Sequence, residues 1–338
     1  MEVEPKISVL VPVYGVENYI GRCVRSLLEQ TMTGDVEFIF VNDCTKDRSM
    51  DILMDMIKQY PSRQSQVRVV HHKENMGLAV ARITALSLAK GEYVINLDSD
   101  DHFETDMLEC MYAVAKRDNA DIVIADFYIS YRKREIYHSC PIDKEKTRLI
   151  SNMISGKSGV GPMVWNKLIK RDLYEKYSVR PLEGINIGED LIATSQLLFH
   201  AASISNIDRA FVHYNRSNLN TYTSNPSYRE VLNRFVVCDF LSDFFGDKSI
   251  EITEAINQYR FKIKAMALIY SPHKHQRQIL CHHPLLTYHK YHNELDWYWR
   301  FPLKLGFNGH LRTFNVIRMI ILKFREVYRY CRDSGSIN

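Results

Sequence analysis

The stretch GEYVINLDSDDHF, residues 91–103, runs from apolar residues straight into four polar ones, Asp98, Ser99, Asp100 and Asp101. Its apolar part is short and continuous, which is typical of a buried strand. Carboxylates this close in sequence repel one another, so a cation between them would stabilise the turn. Mg²⁺ or Mn²⁺ fits best, because these ions take oxygen ligands from one or two carboxylates and leave other positions to water and phosphates. The same pattern also occurs in solvated acidic turns, and the rest of the chain decides between the two.

This stretch contains the fourth strand of a regular alternation that fills the first 130 residues. Five apolar runs have the pattern of strands, at residues 6–14, 36–42, 67–72, 92–98 and 120–129. Between them lie segments with helical periodicity, at residues 18–30, 47–60, 78–90 and 105–118. Repeated strand–helix units predict an α/β fold, a Rossmann-like, mainly parallel sheet with helices on both faces.

The alternation loosens in the second part of the chain. A Gly/Ser/Pro-rich stretch at residues 155–163 is typical of a loop. A short strand and helix follow within residues 165–177, then a helix that begins at Glu189 or Asp190, and a strand at residues 211–215.

Two domain-level predictions follow from these patterns. Residues 1–225 are predicted to form one domain, with a regular first half at about 1–130 and a looser second half at about 131–225. Residues 226–338 are predicted to form a mostly helical C-terminal region, since helical periodicity continues almost unbroken there.

Composition places the chain among ordinary soluble proteins. Of its 338 residues, 46% are hydrophobic and 25% charged, and the net charge of +4 is too small to predict nucleic-acid binding. Seven scattered cysteines without a CxxC pair indicate a reducing compartment. The N-terminal MEVEPKISVLVPVYG has two acidic residues and a short apolar run, so we expect no signal peptide. No segment approaches the roughly 20 apolar residues that span a bilayer, and we expect a cytoplasmic protein.

Ligands of open parallel sheets bind beyond the carboxyl ends of the strands. The distinctive residues of this chain lie at three such ends, and they are Pro12, Val13 and Tyr14, then Asn42 and Asp43, then Asp98, Ser99 and Asp100. No G-x-G-x-x-G follows the first strand and no GK[ST] occurs, which excludes a dinucleotide fingerprint and a P-loop. This edge of the sheet is therefore the predicted site.

Four sequence blocks occur in order: SVLVPVYGVENYI, EFIFVNDCTKDRS, ENMGLAVARITALSLAKGEYVINLDSDD and NIGEDLIATSQLL. Together they closely resemble the family-two glycosyltransferases with the GT-A fold, over roughly residues 5 to 225. The resemblance implies a nucleotide-diphosphate sugar donor, a divalent metal (Mn²⁺ or Mg²⁺) and inversion at the anomeric carbon. With it, the half at about 1–130 is expected to bind the nucleotide and the half at about 131–225 the acceptor. We expect a glycan or lipid-linked acceptor in surface polysaccharide synthesis, and the identity of that acceptor stays open.

On the donor side, the resemblance assigns nucleotide contacts to Pro12, Val13 and Tyr14, with Tyr14 stacking on the base. Asp43 is expected to accept a hydrogen bond from the base, which favours uracil, and Asn75 and Gly77 complete the base pocket. Cys44 stands where the family usually has a glycine, but Asp43 is retained.

On the reacting side, the resemblance assigns the ribose or the metal to Asp98, with Ser99 beside it, and direct metal ligation to Asp100. Asp190 is the expected catalytic base, with Glu189 as the alternative. Asp190 lies near a predicted helix start, so an N-terminal cap is the competing structural role.

The C-terminal region is basic and aromatic. Trp297, Tyr298, Trp299 and Phe301 form an aromatic group, and arginine and lysine recur throughout the residues that follow. This composition suits an interfacial helix on anionic lipid, at the inner face of the membrane. A helix packed on the catalytic domain with its basic face in water, or a homodimer contact, is the interpretation that we slightly prefer.

The sequence as a whole predicts a cytoplasmic, metal-dependent inverting glycosyltransferase. Two rivals stay open: a non-catalytic nucleotide-sugar-binding or assembly subunit, which would bind donor without turnover, and a sugar nucleotidyltransferase. The second would need a glycine-rich loop with Lys or Arg after the first strand, and PVYGVENY lacks one.

Overall fold

The computed structural model describes residues 4–218, 228–282 and 288–333. Within them nine strands form one sheet. The strands are β1 (Ile7–Val13), β2 (Val36–Asn42), β3 (Val67–His71), β4 (Tyr93–Asn96), β5 (His102–Phe103), β6 (Ile122–Tyr131), β7 (Arg134–His138), β8 (Lys167–Lys170) and β9 (Ile204–Asn215).

Seven helices are interleaved with these strands. They are α1 (Ile20–Leu28), α2 (Ser49–Lys58), α3 (Leu78–Leu88), α4 (Met107–Arg117), α5 (Lys146–Ser155), α6 (Arg171–Lys176) and α7 (Glu189–His200). The helices after β9 are α8 (Tyr228–Phe245), α9 (Ile250–Tyr270), α10 (His273–Cys281), α11 (Tyr288–Tyr291), α12 (Trp297–Phe307) and α13 (Leu311–Asp333). The predicted strand–helix alternation and the helical C-terminal region are both confirmed.

The strand order is β3-β2-β1-β4-β8-β6-β9-β5, with β7 paired to β6. β1, β2, β3 and β4 are mutually parallel where they pair, and β6 and β9 are parallel. β8 runs antiparallel between β4 and β6, a position that the sequence did not predict. Periodicity identifies a short strand but not its partner, because pairing depends on residues far away in the chain.

The core lies between the sheet and the helices on its faces. All seven residues of β1 are buried, as expected for a central parallel strand. α1 turns its apolar side toward this core, where Ile20, Cys23, Val24 and Leu27 are completely buried. Fully burying one such aliphatic side chain stabilises the fold by about 1.5–3 kcal/mol.

The C-terminal helices belong to two apolar clusters. Phe235 and Leu241 of α8 and Ile256 of α9 join the cluster that covers the sheet. A second cluster, with Leu268, Leu303 and Phe314 at its centre, holds α9 to α12 and α13. The predicted boundary near residue 225 lies outside the described residues.

The predicted aromatic group of the C-terminal region is divided between the protein interior and its surface. Trp299 is buried in the second cluster, whereas Trp297 is 80% exposed and Phe301 64% exposed. Among the helices that the structure describes, none has the combination of length and apolar character needed to span a bilayer.

Candidate functional site

Arg82, on α3, joins the carboxylates of two distant parts of the chain. Its Nη2 donates to Asp98 Oδ1 at 2.7 Å. Its Nη1 donates to Glu189 Oε1 at 2.7 Å and also to Asp190 Oδ1. Only 5% of the Arg82 side chain is exposed. The turn after β4 and the start of α7 therefore meet at one buried guanidinium.

The charges of this cluster are strongly coupled. Burial alone would lower the pKa of Arg82, but Asp190, Asp98 and Glu189 outweigh it and hold that pKa above its ordinary value. Burial and the neighbouring Asp190 raise the pKa of Glu189 well above its usual range. Burial also raises the pKa of Asp190, while Arg82 acts in the opposite direction. Arg82 thus favours the ionised form of a carboxyl group that burial would otherwise protonate.

Sequence reasoning missed Arg82, although this residue lies within the block ENMGLAVARITALSLAKGEYVINLDSDD. Ala79, Arg82 and Leu86 are spaced i, i+3 and i+7, which places the arginine on the buried face of α3. A charged residue on a buried helix face needs a partner. That spacing was the available signal, but it does not show which carboxylates lie opposite.

The start of α7 positions the two acidic residues of GED. Gly188, with φ 92°, occupies the N-cap position, and Glu189 is the first helical residue. Asp190 points to Arg82 instead of capping the helix, and 20% of its side chain is exposed. The helix start predicted near Glu189 or Asp190 is confirmed, whereas the capping role considered for Asp190 is wrong.

Asp43 organises the loop before α3. Its Oδ2 accepts a hydrogen bond from the Gly77 amide at 2.8 Å, and its Oδ1 accepts one from the Met76 amide at 2.8 Å. Oδ1 also accepts from His72 Nδ1 at 2.8 Å. An ionised carboxylate has about four acceptor positions. Asp43 therefore fixes the loop that carries Asn75 and Gly77, and its contact with a base stays a prediction.

Gly77 is required by its geometry. Its φ is +89°, and a Cβ placed there would lie 2.7 Å from Asn186 Oδ1. Asn186, which sequence reasoning also missed, accepts a hydrogen bond from the Ala79 amide at 3.3 Å. The loop before α3 and the loop before α7 are thus in direct contact.

The other predicted donor residues lie at the same edge of the sheet. Pro12 and Val13 are buried at the end of β1, while Tyr14 is 48% exposed just beyond it. Asn75 is exposed. Cys44 has φ 58°, in the left-handed region that favours glycine, which accounts physically for the family's usual residue at this position.

The turn after β4, residues 98–101, contains the pattern D-x-D at Asp98, Ser99 and Asp100 and is called the D-x-D turn below. Its carboxylates differ in their exposure to solvent. The Asp98 side chain is 29% exposed, whereas Ser99 and Asp101 are buried. Asp100 Oδ2 accepts from Asn218 Nδ2 at 2.8 Å, and burial followed by repulsion from Asp98 raises the pKa of Asp100 to about 6. Asp101 Oδ1 accepts from the Asn215 amide at 2.7 Å, but its Oδ2 is buried and has no hydrogen-bond partner among the residues that the structure describes.

This donor set suits a hard divalent cation only in part. Asp98 and Asp100 offer carboxylate oxygens, the ligands that Mg²⁺ and Mn²⁺ prefer. Within the described residues, no three His, Cys, Asp or Glu side chains are grouped so that they could hold an ion. A metal held here would need further ligands from a bound diphosphate or from water.

Comparisons with known proteins identify the family of this chain and the fold that it shares. The sequence model of glycosyl transferase family 2 matches residues 8–178, about half of the chain, and the chain belongs to this family. A relative from Bacillus subtilis (strain 168), the uncharacterized glycosyltransferase EpsJ, is 31% identical over 227 residues. The match covers 66% of this chain but only 64% of that relative, so the chain spans less than two thirds of its length.

Two solved structures share the fold over most of the chain. Residues 1–349 of S. aureus TarS, in complex with UDP-GlcNAc, give a TM-score of 0.58 at 17% identity, covering 94% of this chain and 92% of TarS 1–349. The mannosyltransferase PcManGT from Pyrobaculum calidifontis, in complex with GDP-Man and Mn²⁺, gives a TM-score of 0.54 at 15% identity. This match covers 94% of this chain and 88% of the PcManGT chain. The GT-A fold predicted from the sequence is confirmed.

Proposed function

We propose that the chain is an inverting, metal-dependent glycosyltransferase. It moves a sugar from a nucleotide-diphosphate donor, with uridine as the expected nucleoside, to a hydroxyl group of a glycan or lipid-linked acceptor. The observation that carries the proposal is the contact of Arg82 with Asp98, Glu189 and Asp190. This contact brings the carboxylate expected beside the donor next to the carboxylate expected to act on the acceptor.

Donor binding is assigned to the edge formed by the ends of β1, β2 and β4. The half-exposed ring of Tyr14 is free to stack on a base. Pro12 and Val13 end the buried strand that leads into Tyr14, and Asp43 orders the loop that carries Asn75 and Gly77. Family membership and the TarS complex with UDP-GlcNAc support a nucleotide sugar as donor.

Asp100, with Asp98 and Ser99 beside it, is assigned to a divalent metal, Mn²⁺ or Mg²⁺. When bound, such an ion stabilises the negative charge that grows on the diphosphate as the sugar leaves. The carboxylate oxygens of Asp98 and Asp100 and the PcManGT complex with Mn²⁺ support this assignment. Asp101 is buried beside them and keeps the turn anchored to β9.

Asp190 is assigned as the general base. One of its oxygens accepts from Arg82, which leaves the other for an acceptor hydroxyl. Removing that proton as the hydroxyl attacks the anomeric carbon is worth about 10²–10⁴-fold in rate. One base and one displacement suffice for inversion. Glu189, buried and bound to Arg82, is the alternative base.

The acceptor is proposed to be a precursor of a surface polysaccharide. If the acceptor is linked to lipid, the enzyme works in the cytoplasm at the inner face of the membrane. A homodimer is compatible with this arrangement. The acceptor is assigned to the half at about 131–225, where the hydrogen bond that Thr194 Oγ1 donates to the Pro162 carbonyl at 2.6 Å holds the loop of Pro162 to α7.

A thermal-shift screen of UDP- and GDP-sugars with and without Mn²⁺, followed by a nucleotide-release assay, tests this proposal. We expect a UDP-sugar to raise Tm only in the presence of the metal, and the same UDP-sugar to be turned over. Asp100→Asn should lose the metal-dependent shift, whereas Asp172→Asn, on an exposed residue of α6, should keep it. No shift with any nucleotide sugar would refute the proposal, and a shift without turnover would indicate a non-catalytic binding protein.

A further inference from the structure

The outer face of α13 exposes large apolar side chains in a regular row. Val316, Met319, Ile320 and Phe324 are 56%, 57%, 56% and 76% exposed. Their spacing places them on one side of the helix, opposite Phe314, which is buried in the second apolar cluster. Such a row is unusual on a surface that faces only water.

A basic groove runs along the flank of this row. It lies between α10 and α13 and encloses about 500 Å³. Lys274 and Arg277 line one wall, and Arg312, Val316 and Met319 line the other. Val316 and Met319 belong both to the groove and to the apolar row, so the two features form one continuous surface.

The groove is stabilised from below by polar contacts. Gln276 of α10 and Asn315 of α13 exchange two hydrogen bonds, at 2.9 and 2.7 Å, and both residues are buried. Arg318 Nη1 donates to the Ser271 carbonyl at 3.1 Å. These contacts fix the spacing of the two helices, so the groove is a stable part of the fold.

Charge decides what can cover this surface. Residues 271–293 and 297–325 contain no aspartate or glutamate, so every charged side chain in these segments is basic. Lys274, Arg277 and Arg312 are exposed in the groove, and Lys323 is exposed beside the apolar row. A second copy of the chain, docked symmetrically, would bring the same cations face to face. An anionic, partly apolar partner fits instead.

We propose that the outer face of α13 and the groove between α10 and α13 bind the surface of an anionic phospholipid bilayer. The apolar row enters the boundary between headgroups and acyl chains, as in interfacial amphipathic helices. Lys274, Arg277 and Arg312 bind phosphate groups of the lipids in the groove. This inference deepens the proposed function, because it places the enzyme beside a lipid-linked acceptor.

Co-sedimentation of the full chain with vesicles tests the inference. The vesicles contain phosphatidylcholine alone or phosphatidylcholine mixed with phosphatidylglycerol. We expect binding to the anionic vesicles that is at least about tenfold stronger than to the neutral ones and that weakens with added salt. Ile320→Ser/Phe324→Ser and Lys274→Glu/Arg277→Glu should each weaken it by about tenfold or more.

Two matched controls carry the same chemical changes elsewhere. Met54→Ser/Ile250→Ser removes two exposed apolar side chains, from α2 and α9, and Arg132→Glu/Lys133→Glu reverses two exposed charges between β6 and β7. Both controls should bind vesicles as the unaltered chain does. All variants change exposed residues, and their folding is checked by thermal unfolding.

The inference is overturned if the chain binds neither kind of vesicle, if it binds both equally, or if the α13 and groove variants bind as well as the controls. It is also overturned if light scattering shows a dimer that Ile320→Ser/Phe324→Ser converts to a monomer without a change in vesicle binding. Vesicle binding is measured without donor or acceptor. Its failure would therefore leave the proposed sugar transfer untouched.

Discussion

Arg82 donates a hydrogen bond to Asp98 at 2.7 Å, and this contact joins α3 to the D-x-D turn after β4. The same guanidinium binds Glu189 and Asp190. The donor-side turn and the expected base are therefore linked through a single side chain.

Arg82→Met should damage both stability and turnover. It leaves carboxylates buried without a cation, and loss of one partner from a buried ion pair typically costs about 3–5 kcal/mol. Urea unfolding measures that loss. Arg82→Lys keeps the charge but not the forked geometry, so it should recover part of the stability and little of the turnover.

Equal turnover in Arg82→Lys and the unaltered enzyme would show that the charge alone matters. Arg209→Met is the matched control, because Arg209 also pairs with a carboxylate, Asp106, but is half exposed. Arg209→Met should lower the free energy of unfolding by no more than about 1 kcal/mol.

Gly77→Ala should lower the free energy of unfolding by about 1–3 kcal/mol, because φ is +89° and the new Cβ meets Asn186. It should also weaken donor binding, since Gly77 anchors the loop to Asp43. Chemical unfolding and calorimetry give the two readouts. Gly34→Ala is the control, because Gly34 has open space around it. If both substitutions cost the same, strain at Gly77 is excluded.

Lys167 should make stability depend on pH. Burial lowers its pKa to about 8 from the ordinary 10.5, although its Nζ donates to the Gly161 and Met163 carbonyls. Between pH 8 and 10.5 the unfolded chain therefore binds more protons than the folded one, and stability rises with pH. Below pH 8 both states are protonated, and the full cost of the buried charge applies.

The measurement compares unfolding of the unaltered chain with that of Lys167→Met, which has no titrating group. From pH 7.5 to pH 9.5 the unaltered chain should gain about 2 kcal/mol relative to the variant. Lys144→Met, on an exposed lysine, should show no such difference. A constant difference across this range would mean that Lys167 keeps its ordinary pKa.

Asp100→Asn should abolish metal binding and increase the stability of the apo protein. Burial and Asp98 disfavour the ionised form of Asp100, so a neutral isostere that keeps the contact with Asn218 should stabilise the apo protein by about 1–2 kcal/mol at neutral pH. The Tm increase caused by Mn²⁺ with a uridine nucleotide should disappear. A variant that is less stable yet still responds to Mn²⁺ would remove Asp100 from the metal site.

The sequence alone predicted those helices and strands whose pattern depends only on residues close together in the chain. The helix that begins at Glu189 and the buried run of β1 follow from periodicity alone. The antiparallel position of β8 could not be predicted in this way, because it depends on pairing with β4 and β6, which are distant in the sequence. Likewise the position of Asp98 at a strand end and that of Asp190 near a helix start were predicted, but Arg82 and Asn186 were missed because their roles lie in contacts between residues more than a hundred positions apart in sequence.

The most direct test of the central claim is a comparison of Asp190→Asn with the unaltered enzyme. Transfer from a UDP-sugar is followed by nucleotide release, and donor affinity by calorimetry in the presence of Mn²⁺. If Asp190 is the base held by Arg82, turnover falls by about 10²-fold or more while donor affinity is unchanged. Undiminished turnover in Asp190→Asn would contradict the account and transfer the role to Glu189 or to another residue.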